Sequence, residues 1–196
     1  MMDLEALQAE ILAEMVPESV VNAHDADAIA EHSDFLLGIE DRLVAGFYDS
    51  LYAHPRTAEV FAPDERPQRE ATLRAWWQRT VTGPLDRGYW AWMGLVGVVH
   101  IRRGVRNPMM LSMMAFVERA VHDEAVAAGL PAEDVDALRV AFSHLTATAS
   151  AVISESYTQS YISALQALGG LNPRLLANML SIEIQAIEDA GRTSMG

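Results

Sequence analysis

Residues 89–105 read YWAWMGLVGVVHIRRGV. Tyr89, Met93, Val96 and His100 step by four, three and four, so they share one face of a helix. The segment from Leu85 to Arg103 is rich in aromatic and small residues, and Gly104 ends it. An imidazole set into so apolar a stripe must find a partner or stay neutral at some cost. Two readings are open at this point: a core histidine bonded to a neighbouring carbonyl, or a metal ligand.

Working outward, nearly every stretch between Pro and Gly punctuation has helical period. Upstream, a helix from about Arg66 to Thr82 is closed by Gly83-Pro84, and a turn from Pro55 to Ala62 precedes it. Before that turn a helix of about twenty residues runs from Ser33, a cap, to His54. Its apolar face carries Leu36, Leu43, Val44, Phe47, Tyr48 and Leu51. Residues 3–15 form an amphipathic first helix with Leu4, Leu7, Ile11 and Leu12 on one face, stopping before Pro17. Downstream, Asn107-Pro108 opens a helix with a cap and a first-turn proline, running to about Ala128. Gly129-Leu130-Pro131 breaks it, a long helix spans about 132–168, and Asn172-Pro173 starts a last one to about Ala190. No segment alternates as a strand does, and no repeat is present. The pattern predicts an all-α chain of eight or so helices joined by short connections.

Composition narrows the classes. The 196 residues are enough for one ordinary domain with a real core, and 51% hydrophobic against 21% charged residues argues against disorder. Apolar runs such as Leu95–Ile101 fall far short of the ~20 residues a membrane span needs. The acidic, amphipathic N-terminus has the wrong chemistry for a signal peptide, so a soluble, cytoplasmic protein is expected. With no cysteine, disulfides, iron–sulfur clusters, thiolate ligation and thiol catalysis are excluded. A net charge of −13 disfavours nucleic acid and anionic membrane as partners.

Of six histidines, none sits in HExxH or another tight metal spacing, and no GxSxG, Walker A or GxGxxG motif appears. The scattered Asp and Glu read as solvated helix surface. His100 differs by its setting. Its neutral nitrogen is a good ligand for haem iron, and Val, Met and aromatic side chains suit a porphyrin face. Tyr48 lies mid-helix on the stripe with Val44 and Leu51, where its hydroxyl needs a partner. A cross-helix hydrogen bond is the ordinary reading there. Trp76-Trp77, Trp90 and Trp92 read first as core mass.

The stretch from Phe47 to Val105 resembles the haem domain of globin-coupled sensors and their single-domain relatives, close to protoglobins. A Phe-Tyr pair precedes a His-Pro turn (FYDSLYAHPRTAEVF, 47–61). A helix ending in Gly follows (TLRAWWQRTVTG, 72–83), and Gly83 precedes His100 by seventeen residues, as in the family. Arg102, Gly104 and Val105 stand where the family has Arg, Gly and an apolar residue after its ligand histidine. The resemblance implies a globin fold in its sensor variant, with an extra N-terminal helix, a short or absent D helix and a C-terminal helical extension. It implies a globin domain over 1–170 and an extension over 171–196.

It further implies haem b as cofactor with His100 as the proximal iron ligand. Tyr48 would be the distal tyrosine donating to bound O₂, and Thr72 the hydroxyl that tunes that bond. Phe47, Trp76, Met93, Val96 and Val105 would line the cofactor. Three positions depart from the family pattern: Arg103 where an aliphatic residue is usual, Met109 where many members have Trp, and Arg69 where an apolar distal residue is usual. Either Arg69 swings to a propionate or to solvent, or the correspondence slips by a residue there. Arg102, Arg103 and Arg106 either pair with propionates or are ordinary surface arginines.

The implied activity is reversible binding of a diatomic gas (O₂, CO or NO) as a gas or redox sensor rather than an enzyme. Two rivals stand beside it: a haem enzyme of NO dioxygenase, peroxidase or carbene-transfer type, and a haem-free globin-like interaction domain. No methyl-accepting, cyclase or kinase module appears through Gly196, so a separate signalling partner is expected. Family members dimerise through their last two long helices, which implies a homodimer. In the extension, Leu175, Leu176, Met179, Leu180, Ile184 and Ile187 form an apolar face that needs covering, either by docking on the same chain's globin domain or by extending a dimer interface.

Overall fold

The computed structural model describes residues 3–170 and 172–195. Among them are ten α-helices and no strand: α1 (Leu4–Glu14), α2 (Ala23–Glu31), α3 (Ser33–Gly38), α4 (Glu40–Ala53), α5 (Pro55–Ala58), α6 (Arg66–Thr82), α7 (Arg87–Arg103), α8 (Asn107–Ala127), α9 (Ala132–Gly169) and α10 (Pro173–Met195). A single 3-10 turn spans Pro17–Ser19. The all-helical expectation is borne out. No helix, among the described residues, is long and apolar enough to cross a membrane.

Local chemistry sets the ends. The Asp3 carboxylate accepts from the Glu5 and Ala6 amides at the start of α1, and Asp86 accepts from the Tyr89 amide at the start of α7. Asn22 and Asp25 form a reciprocal capping box on α2. At the end of α7, Gly104 takes a left-handed φ of 72°. The Val105 amide then bonds back to the His100 carbonyl and the Gly104 amide to the Ile101 carbonyl. This double closure stops α7 one turn beyond His100.

Several elements differ from the sequence expectation: the turn expected at Pro55–Ala62 contains α5, and α10 runs past Ala190 to Met195. The helix expected over 33–54 is two helices, broken at Ile39. Gly38 weakens the helix there, and the Leu36 carbonyl accepts the Trp77 indole N–H at 3.0 Å, tying the break to α6. The region 17–32, where the apolar pattern predicts no helix, contains α2. On α1, Leu7 and Leu12 pack against the core and Ile11 is buried in it. The side chain of Leu4 lies outside the described residues.

The chain divides into two compact units, one from Asp3 to Tyr157 and the other from Thr158 onward. In the first, Trp77 stacks on Phe142 with ring centroids 5.6 Å apart. α7 seats on its neighbours through glycines. A Cβ on Gly97 would stand 2.4 Å from the Ile153 carbonyl oxygen of α9, and one on Gly94 would meet Ser156 and Gln8 at 3.1 and 3.3 Å. The second unit is helical, and α10 leaves Leu175, Met179, Leu180, Ile182, Ile184 and Ile187 exposed.

Candidate functional site

A cavity of about 290 Å³ opens among α4, α6, α7 and α8, with Ile153 of α9 at its back. That lies at the lower edge of small-molecule sites. Phe47, Tyr48, Thr72, Trp76, Met93, Val96, His100 and Val105 all line it. Sequence reasoning singled out Met109 but missed the rest of the α8 wall, where Met110, Met113 and Met114 face the same space. Their near-helical spacing was the available signal, and methionine is the soft filler expected against an irregular apolar ligand. It also missed Leu51, Thr57 and Phe61 on the α4–α5 side.

His100 sits on the α7 wall. Its Nδ1 is buried with no hydrogen-bond partner among the described residues, so no neighbouring carbonyl holds it. Burial, aided by the Arg103 charge, pushes its pKa down to about 4. The imidazole is therefore neutral at ordinary pH, with a lone pair available for a ligand bond. Two other histidines are already engaged. His144 Nδ1 lies 2.9 Å from Asp25 Oδ2, and His32 Nδ1 lies 2.9 Å from the Ala28 carbonyl.

The α4 and α6 walls carry the hydroxyls. Tyr48 donates to the Arg69 carbonyl at 2.9 Å, and burial pushes its pKa up to about 12. It stays a protonated donor, here spent on the α6 backbone. Thr72 donates to the Gln68 carbonyl at 3.0 Å. Both hydroxyls expected to face a ligand thus bond to α6 itself. Trp76 Nε1 donates to the Tyr89 hydroxyl at 3.1 Å, which meets Thr80 Oγ1 at 2.9 Å. That closed network fixes the Trp76 ring at the cavity wall.

One end of the cavity is charged. Arg103, at the end of α7, reaches the Glu65 carboxylate ahead of α6, with Nη1 2.5 Å from Oε1 and Nη2 2.7 Å from Oε2. Those bonds hold the Glu65 carboxyl down at about 2. Arg69 Nε lies 3.2 Å from Glu65 Oε1 but makes no hydrogen bond and is buried. An adjoining concavity gathers Arg56, Arg103 and Arg106 around one carboxylate, Glu59. Arg102 is exposed and lines neither space.

A flat apolar group carrying two carboxylates and a metal fits this donor set: a neutral unpartnered imidazole on one wall, apolar and methionine walls around it, and arginines at one end. Among known proteins, the Protoglobin family model matches residues 20–163. The globin domain of a Geobacter sulfurreducens globin-coupled sensor superposes with a TM-score of 0.66 at 23% identity, over 76% of this chain and 96% of that one. The ferric globin domain of E. coli DosC gives 0.56 at 12% identity, over 80% of this chain and 98% of that one. No curated protein matches. The two structural likenesses show the globin fold, and the family match spans most of the helical core described above. The chain belongs to the protoglobin family.

Proposed function

We propose that the protein binds haem b through His100 and reversibly takes a diatomic gas, acting as a gas or redox sensor. The observation that carries this reading is the neutral, unpartnered imidazole on the wall of an apolar cavity. Ferrous haem supplies the iron at which O₂, CO or NO coordinates. The chain's own part is to hold, orient and keep dry. His100 offers its lone pair, while Met93, Val96 and Val105 exclude water from the ring faces. Arg106, beside an Arg103 already committed to Glu65, answers the carboxylates at the charged end. Tyr48 serves bound O₂ only by turning its hydroxyl away from the Arg69 carbonyl. That exchange of one hydrogen bond for another lets ligation be felt by the α6 backbone.

A signalling partner takes the output, and the exposed apolar residues of α10 are assigned to contact with a second copy of the chain. Absorption spectra of the purified protein, oxidised, reduced and with CO, test the reading. A Soret band that shifts with CO is expected, and His100→Ala is expected to abolish stable haem uptake. Haem retained by His100→Ala with an unchanged spectrum would remove His100 from the site.

A further inference from the structure

We propose that Arg69 makes the ligand side of the cavity a site for small monovalent anions, such as fluoride, azide or nitrite, at ferric iron. This rests on the haem reading above. Among the residues lining the cavity the permanent charges are Arg69 and Arg103, and no carboxylate lines it. Glu65 is the carboxylate between them, and the two arginines share it unequally. Arg103 takes both its oxygens with two guanidinium nitrogens. Arg69 has only the 3.2 Å approach of Nε, outside hydrogen-bond geometry. Two guanidiniums against one carboxylate leave the cluster with one net positive charge, and the guanidinium with the weaker claim on Glu65 is Arg69.

The hydroxyls complete the argument. Tyr48 is committed to the Arg69 carbonyl and Thr72 to the Gln68 carbonyl. The donor with bonds to spare beside them is the Arg69 guanidinium, which offers five N–H groups and stays charged at any working pH. Partial burial beside an apolar cavity strengthens its attraction for a full negative charge. A neutral diatomic carries only partial charge and gains far less. Discrimination therefore runs by ligand charge, a selectivity that Tyr48 and Thr72 alone would not give.

The test uses the full chain loaded with haemin, followed by absorbance titration. Wild type, Arg69→Gln and Arg69→Lys are titrated with fluoride and azide in the ferric state and with CO in the ferrous state. Arg69→Gln is expected to weaken both anions about tenfold or more, equivalent to about 1.4 kcal/mol. Arg69→Lys keeps the charge and is expected to recover part of that loss, while CO affinity stays within about threefold in all three. Unchanged anion affinity in Arg69→Gln, or an equal loss of CO, would overturn the proposal while a normal Soret band left the haem reading standing. Failure of wild type to develop a Soret band would overturn both.

Discussion

At the scale of single residues, the site mixes what the sequence displays with what only folding assembles. His100 was visible because its partners on the stripe are four, seven and eleven residues away along one helix. The Glu65–Arg103 bridge was not, because 38 residues separate its ends and no local pattern pairs them. That bridge has a testable electrostatic signature. The Glu65 carboxyl sits near 2 in the folded protein against an ordinary 4.5. A depressed folded pKa gives stability that is fully present above about 4.5 and lost as pH falls through about 2. Glu65→Gln should therefore melt below wild type at neutral pH, by roughly 2–6 °C for an effect of about 1–2 kcal/mol, partly screened by solvent. The gap should close as the pH approaches 2, read by thermal melts of the haem-free protein across the acid range. A gap that stays constant with pH would mean that Glu65 stabilises by packing and not by charge.

Elements were legible where punctuation is strong and hidden where it is weak. Gly83-Pro84, Gly104 and Pro131 bracket α6, α7 and α8, and those helices begin and end within a few residues of expectation. The break at Ile39 was illegible because Leu36, Ile39 and Leu43 are all buried and continue one apolar rhythm across it. Helix α2 was missed because its nine residues bury only Asp25, Ala28 and Ile29, too few to set a period. The buried Asp25 also escaped a reading that placed acidic residues on the surface, since His144, which shares its carboxylate, becomes a neighbour only in the fold.

The seating of α7 is where element packing bears on the site. Gly97 faces the Ile153 carbonyl so closely that a methyl group has no room, and His100 follows one turn later. Gly97→Ala should push α7 off α9 and cost about 1–3 kcal/mol, a fall in Tm of roughly 2–10 °C, with weakened haem uptake. Gly38 has nothing near its Cβ position, so Gly38→Ala should be neutral or raise Tm slightly. Thermal melts of the pair decide the matter. Equal Tm for Gly97→Ala and wild type would mean that the close approach of α7 and α9 relaxes without cost.

At the scale of the whole molecule, charge and apolar surface pull in opposite directions. A net charge of −13 keeps copies apart, while α10 exposes Leu180, Ile184 and Ile187 at 44%, 57% and 65% of their surfaces. A helix with one such face commonly buries it against a partner. Charge on the helix itself offers little resistance, since Arg174 and Arg192 nearly offset Glu183, Glu188 and Asp189. Repulsion between copies is therefore long-ranged and screenable, whereas the apolar attraction is local and insensitive to salt. Two consequences follow together for the full chain in solution. Self-association should strengthen as salt rises from about 50 to 500 mM, a range over which the Debye length falls below ~5 Å. Ile184→Lys combined with Ile187→Lys should give monomer at every salt concentration, although lysine also lowers the net negative charge. Light scattering coupled to size exclusion separates the two effects. If the double variant associates as wild type does, the attraction does not run through α10, and if association weakens with salt, charge pairing rather than apolar burial holds the copies together.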